Sequence, residues 1–334
     1  MNLRRLGEFG LIELIRRVSR SGKGVRIGIG DDCAWINHPA GSSLVTADLL
    51  IERIHFDLKW TSFESLGHKS LAVNLSDIAA MGGLPAYALL SLGIPERFDS
   101  RQILDFYRGF NRLARRHGVV VIGGDTNVAH SFIVSICLIA HPPARPVRRS
   151  GARVGDDIYV TGNLGDSALG LALLRRRLPA RNSAAGARLL LRHHRPTPRL
   201  GAGLVLARRK LASAMIDISD GLLQDLGHIC RASGTGAIIW QQSLPLSRDY
   251  LSLAGSLAAS LALHGGEDYE LLFCARPNKR KQIEQLSASA GVQITRIGSC
   301  VPAAQGVTVL DPAGKPVPVP HRGHDHFQVD AQGA

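Results

Sequence analysis

Aromatic residues are scarce in this chain, only 5% of its 334 positions. Base-stacking platforms for single-stranded nucleic acid need such rings. Acidic residues are also in deficit: 27 Asp and Glu face 40 Lys and Arg, for a net charge of +13. That excess suits anionic partners in general, phosphorylated small molecules among them. Long apolar runs are missing. FIVSICLIA (132–140) falls far short of the ~20 residues that a spanning helix needs, so no membrane partner is expected. The N-terminal MNLRRLGEFGLIELIRR lacks the apolar core of a secretory signal. It reads as an amphipathic helix over 8–20, with a cytoplasmic location expected. There is no CxxC; Cys33, Cys137, Cys230, Cys274 and Cys300 are scattered and odd in number, as expected of reduced, mostly buried thiols. A phosphate-binding G-x-x-x-x-G-K-[ST] loop is absent, as are GxSxG, HExxH and zinc-finger spacings. GIGDDC opens like a dinucleotide fingerprint, but Cys33 stands where its last glycine is required.

What is present is a chain of alternating elements. Hydrophobic residues make up 45%, enough for a core in each of two domains. In the first half, VRIGIG, CAWINH and SLVTADLL read as strands, being short, β-branched and bounded by turn residues. Residues 64–81 have helical spacing and stop at Gly82-Gly83-Leu84-Pro85. AYALLSLGI, VVVIGGD and SFIVSICLIAH read as strands, and 100–117 as a helix. HPPARPVRRSGARVGD (141–156) lacks periodicity and reads as a linker. In the second half, DIYVTG, AMIDIS, GAIIWQQ and DYELLFCAR read as strands. Helices are expected at 166–177, 184–194, 200–212 and 221–233. The tail from 312 reads as mostly extended. No repeat of fixed period occurs. The pattern is mixed α/β in two lobes.

Carboxylates recur in apolar or glycine-rich settings. They are Asp31 and Asp32 in RIGIGDDCAWI, Asp48 in LVTADLL, Asp77 in NLSDIAAMGG, Asp125 in VVVIGGDTN, and Asp217 and Asp220 in MIDISDG. Each taken alone has a plain reading: Asp31-Asp32 as a turn, Asp220 as the cap of the next helix. Asp77 resists one, since a mid-helix Asp neither favours nor caps the helix. Buried carboxylates that converge need cations among them, and all-oxygen ligands favour Mg²⁺, Mn²⁺ or Ca²⁺. His193-His194 and the HRGHDH stretch (321–326) read as solvated.

Taken in order, GEFGLIELI, GIGDDCA, HKSLAVNLSDIAAMGGLP, GGDTN, RRSGARVGDDIYVTGNLGDSALGL, RPTPRL, IDISDGLLQDLGHI, HGGEDYELLF and GHDHF cover nearly the whole chain. Together they resemble the thiamine-monophosphate kinase family, of the aminoimidazole-ribonucleotide-synthetase-like superfamily. The cysteines expected of the selenophosphate and hydrogenase-maturation relatives are absent here. The resemblance implies an α/β (α+β) fold: residues 1–144 form a mixed-sheet lobe that binds metal and ATP and pairs in a homodimer, and 145–334 form a C-terminal α/β lobe with a substrate-contacting tail. It implies ATP-dependent phosphorylation of thiamine monophosphate to thiamine diphosphate, with several Mg²⁺ ions. Carried over by motif, the metal ligands are Asp32, Thr46, Asp48, Asp77, Asp125, Asp217 and Asp220. ATP is expected at Tyr107, Gly124, Asp125, Arg149 and Ser219, and the substrate at His55, Glu267 and His321. Two positions depart from the pattern: Ala47 replaces a hydroxyl residue, and His321 an aromatic ring. No general base is required, because the acceptor is already a phosphate with a second pKa of about 6; positioning and charge neutralisation carry the reaction. The alternatives are another ATP-dependent enzyme of the superfamily, or a basic nucleic-acid-binding protein. The arginine runs at 175–177 and 208–210 carry no interleaved aromatics, which favours solvated faces and argues against nucleic acid.

Overall fold

The computed structural model describes residues 25–27, 30–38, 41–143, 145–175, 183–255, 258–289 and 291–318. The expected N-terminal helix and His321 lie outside them. The first lobe is built on a six-stranded mixed sheet. Its strands are β1 (Val25–Ile27), β2 (Ala34–His38), β3 (Gly41–Ile51), β4 (Leu84–Ile94), β5 (Val120–Val128) and β6 (Ile133–His141). They lie in the order β1-β2-β3-β6-β4-β5, with β4 and β5 parallel and the other pairs antiparallel. Two helices, α1 (Phe63–Ala80) and α2 (Ser100–His117), pack together on one face of the sheet.

Both helices are delimited by local chemistry. Ser62 caps α1 through a 3.2 Å bond from the Ser65 N–H, and the chain leaves it through Gly82 at φ +70°. Asp99 and Gln102 form a reciprocal capping box on α2, which ends at the left-handed Gly118. α1 is apolar or small nearly all round, as befits a helix enclosed on every side. Leu66, Leu71, Leu75 and Ile78 are fully buried. The helix axes come close because Gly67 and Gly109 face each other's partners. A Cβ at Gly67 would lie 1.9 Å from the Phe106 carbonyl oxygen, and one at Gly109 1.8 Å from that of Glu64.

The second lobe carries a seven-stranded mixed sheet, ordered β13-β12-β9-β11-β7-β10-β8. Its members are β7 (Asp157–Thr161), β8 (Ala214–Asp217), β9 (Thr235–Trp240), β10 (Leu271–Ala275), β11 (Ile294–Pro302), β12 (Val307–Leu310) and β13 (Pro316–Val317). Around it lie α3 (Asp166–Leu174), α4 (Ala184–His194), α5 (Leu200–Arg208), α6 (Leu222–Ser233), α7 (Arg248–Leu253), α8 (Ala258–His264) and α9 (Arg280–Ser289). One apolar cluster fills this lobe. The other joins the first sheet and α1 to Leu200, Leu206, Met215 and Phe273 of the second lobe, so α1 is buried between the lobes.

Most expected elements are observed, with three corrections. The strand expected to end at Asp125 runs on to Val128, because β5 continues along the ladder of β4. The helix expected to reach 212 stops at Arg208, and Lys210 turns the chain at φ +53°. The strand expected from Asp268 begins at Leu271; residues Glu267 and Tyr269 hold left-handed backbone (φ +67° and +51°), which no strand accommodates. The 141–156 segment does lack regular structure beyond His141, yet it is pinned. Val147 N–H donates to Met81 O and the Met215 N–H to Arg148 O.

Candidate active site

Alternation along β3 places Leu44, Thr46 and Leu50 on the buried face, with Asp48 in the same register. That face meets α1. Thr46 Oγ1 donates to Asp77 Oδ2 at 2.6 Å. Ala47 points the other way and is exposed, so the hydroxyl it lacks takes nothing from this inward group. From the second lobe, β8 at the sheet edge delivers Asp217, 3% exposed, to the same place. Carboxylate oxygens of Asp32, Asp77 and Asp217 all lie within 4.8 Å of one another. Three remote stretches, from both lobes, therefore converge.

The electrostatics follow from that crowding. Burial, then the charges of Asp48, Asp217 and Asp32, pushes the Asp77 carboxyl well above the usual carboxylate range. Asp217 rises to about 7, through burial and then Asp32. Burial raises Asp48 to about 6, and burial followed by Asp32 does the same for Asp31. Arg149 supplies the counter-charge. It forks onto Asp32 through Nε–Oδ2 (3.2 Å) and Nη2–Oδ1 (3.0 Å), and its backbone N–H reaches Asp31 Oδ1 at 3.3 Å. Burial opposes the guanidinium charge, but Asp32 outweighs it and holds the charge on. The irregular 141–156 segment is thus a wall of the site rather than a loose tether.

One arginine does not balance this many carboxylates. Asp48 Oδ2 is buried with no hydrogen-bond partner, an expensive state for a carboxylate oxygen. An all-oxygen set with an orphaned oxygen and like charges in contact fits a hard divalent cation such as Mg²⁺.

The remaining described candidates fall into other groups. Ser219 and Asp220 follow directly from Asp217. Their N–H groups and that of Gly221 each donate to Asp225 Oδ2 at 3.1 Å. Gly221, not Asp220, caps α6; the Asp225 carboxylate in its first turn instead gathers the N–H groups of the loop that leads into the helix. Asp220 groups with Asp225 and His228 rather than with the three-carboxylate set. Asp125 stands apart. It is exposed on β5, its oxygens taken by Thr126 N–H (2.8 Å) and Asn127 Nδ2 (2.6 Å). It borders an open cleft of ≈ 360 Å³ lined also by Leu90, Tyr107, Val121, Gly123, Gly124 and Thr126, so Tyr107, Gly124 and Asp125 are brought together there.

His55 and Glu267 form a further corner. Ile51 N–H donates to His55 Nδ1 at 3.1 Å. Burial works to raise the Glu267 carboxyl, yet the Lys69 ammonium holds it below its ordinary value. The histidines expected to be solvated are a correction. His193 is 4% exposed and packed between Ser167 Oγ (3.1 Å) and Glu267 Oε2 (3.3 Å). Burial, then the Lys69 charge, lowers His193 to about 3 and His194 to about 4. The Arg208-Arg209-Lys210 run is exposed. Sequence reasoning passed over Asp225 and Lys69. The signal for Lys69 was available: a charge in the same apolar run that made Asp77 conspicuous. For Asp225 it was an acid at the start of a helix whose cap is glycine.

Comparison with known proteins follows the same division of the chain. The AIR synthase related protein N-terminal domain matches residues 30–141, and the C-terminal domain matches 153–311. The thiamine-monophosphate kinase of Salmonella typhimurium is 41% identical over 327 residues, covering 96% of this chain and 98% of that one. AaThiL complexed with AMPPCP and TMP superposes with a TM-score of 0.86 at 36% identity, over 98% of this chain and 99% of that one. The thiamine-monophosphate kinase from Stenotrophomonas maltophilia K279a gives 0.77 at 40% identity, over 93% and 98% of the two chains.

Proposed function

The chain belongs to the thiamine-monophosphate kinase family of AIR synthase related proteins, and from that membership we propose that it phosphorylates thiamine monophosphate to thiamine diphosphate with ATP. The observation that carries the reading is the convergence of Asp32, Asp77 and Asp217 within 4.8 Å, from both lobes, with Arg149 against them. A carboxylate group this dense binds neither phosphate nor heterocycle by itself. It suits phosphates brought in with cations.

Asp32, Asp48, Asp77 and Asp217, with Thr46 beside them, would hold Mg²⁺; Asp220 and Asp125 extend the set toward the nucleotide. Mg²⁺ held there would supply charge neutralisation for the phosphates of both substrates. The chain's own residues do the rest. Arg149, fixed by Asp32, presents the remaining face of its guanidinium to ATP phosphate. Gly124, Asp125 and Tyr107 line the open cleft for the nucleotide, and Ser219 stands on the strand end between the two clusters. His55 and Glu267 meet the substrate beyond its phosphate, with His321 as the tail contact. No base is needed to activate a phosphate oxygen that is already ionised.

The working unit is a homodimer in the cytoplasm, cut within each chain into lobes 1–144 and 145–334. The support for pairing is β5. It is an edge strand with every residue exposed, and it carries Val120, Val121, Ile122 and Val128. Tyr87 and Leu89 continue the apolar surface onto the neighbouring β4. Such an edge in isolation is an aggregation liability unless a partner covers it. No helix among the described residues is long and apolar enough to cross a membrane.

The test is an ADP-release assay with Mg-ATP and, in turn, thiamine monophosphate, free thiamine and an aminoimidazole ribonucleotide precursor. Turnover is expected with thiamine monophosphate alone. Comparable turnover of free thiamine, or of the imidazole precursor, refutes the proposal.

A further inference from the structure

Lys69 is a buried charge that the reading above leaves without a part. It lies on α1 within HKSLAVNL, and its side chain is 2% exposed. An ammonium so placed is costly unless paired. Its Nζ stands 2.7 Å from Glu267 Oε1, across the boundary between the lobes. The other oxygen, Oε2, faces His193 Nδ1 at 3.3 Å, and the same nitrogen lies 3.1 Å from Ser167 Oγ. The Glu267 side chain nonetheless stays 26% exposed, so its two partners do not seal it off completely.

The backbone beneath Glu267 is equally constrained. Its φ of +67° is unusual for a residue with a side chain, and such strain persists only where the surroundings enforce it. Glu267 N–H donates to Ser219 O at 2.7 Å. A Cβ at Gly266 would lie 2.4 Å from the same Ser219 oxygen, so only glycine lets the loop press so close. The loop is fastened to the strand end running from Asp217 to Asp220. Lys69 and Asp77 are eight residues apart on one helix, about 12 Å along its axis at ~1.5 Å per residue. One helix thus carries a carboxylate at the phosphate end of the site and, at the other end, an ammonium that holds a second carboxylate. That separation matches an extended molecule with a phosphate at one end and a heterocycle at the other.

We propose that Lys69 is a positioning residue for substrate. It holds the Glu267 carboxylate in place to receive the amino-bearing heterocycle at the end of the acceptor remote from its phosphate. The proposal rests on the reading that Glu267 meets the substrate, and it adds that Lys69 acts through Glu267 and not on the phosphates. A neutral side chain of the same length leaves Glu267 free to turn or to take up a proton, and heterocycle binding weakens while phosphate chemistry does not.

Steady-state kinetics on full-length Lys69→Met, Lys69→Arg, Glu267→Gln and the Lys69→Met/Glu267→Gln double variant test this, with melting temperatures alongside. For Lys69→Met, the KM for thiamine monophosphate is expected to rise about 10–100-fold, the loss of one charge-assisted contact, while kcat and the KM for ATP stay within about threefold. Lys69→Arg is expected to recover most of the loss. The double variant is expected to be no worse than Glu267→Gln alone, since both changes break one interaction. If Glu267→Gln raises the KM but Lys69→Met does not, the role of Lys69 is overturned and that of Glu267 stands. If Glu267→Gln leaves the KM unchanged, the reading of Glu267 fails and the proposal with it. Should Lys69→Met not fold, Lys69→Arg decides: a folded Arg variant that loses kcat, both KM values and melting temperature together marks Lys69 as purely structural.

Discussion

Replacing Asp77 by Asn separates a ligand-binding carboxylate from a structural one, because the two roles predict opposite signs. Asn keeps the size of the side chain and can still accept the 2.6 Å bond from Thr46 Oγ1. What it removes is the acid. In the folded protein without metal, Asp77 is held well above its ordinary range by burial and by Asp48, Asp217 and Asp32. A carboxyl whose folded pKa is raised binds its proton more tightly in the folded than in the unfolded state. Its contribution is full below the unfolded value near 4 and is lost as pH rises toward the folded one. Asp48 at about 6 and Asp217 at about 7 act in the same direction. The metal-free protein should therefore lose stability steadily between about pH 4 and pH 7, each such group contributing up to about 1.4 kcal/mol per pH unit. Asp77→Asn deletes one of these slopes. Wild type and variant should melt together near pH 4. By pH 7 the variant should be more stable by about 1–3 kcal/mol, or about 1.5–4 °C for a chain of this size. Thermal melts in EDTA across this range measure the difference directly. The same variant should lose activity by orders of magnitude, and its stabilisation by Mg-ATP, which acts by mass action on the folded state, should shrink. Two results refute the reasoning: an active variant with an undiminished Mg-ATP shift, or a metal-free variant less stable than wild type at pH 7.

Two further outcomes are expected. Arg149→Ala should lower kcat/KM for ATP about 5–150-fold, the equivalent of about 1–3 kcal/mol for a charge-assisted contact; unchanged ATP kinetics would mark the guanidinium as a partner of Asp32 and nothing more. Ile122→Glu, on the exposed edge strand, should convert a dimer to a monomer in sedimentation velocity without lowering the melting temperature of the monomer's own core; a variant that remains dimeric places the interface elsewhere.

Local chemistry wrote much of this protein into its sequence. Helices α2 and α4 begin and end where capping residues and periodicity put them, because Asp99 with Gln102, Ser183 and Gly118 act on their immediate neighbours. The misplacement of a carboxylate at Asp77 was equally legible, since an acid in the middle of an apolar helix is costly wherever that helix goes. The ordered motifs carried the family. What the sequence could not decide is which charges meet. Thr46 and Asp77 are 31 residues apart, and Asp32 and Asp217 far more. Only the register of β3 on β6, and the burial of α1 between the lobes, bring them within bonding reach. His193 shows the same limit. Set among arginines it reads as a solvated residue, yet the packing of α4 against α3 removes it from water and strips it of its proton. Propensity and capping act over one helical turn and survive any tertiary context. Burial, pKa and metal-binding capacity depend on what arrives from the other side of the core, and that is settled only when both sheets have closed around α1.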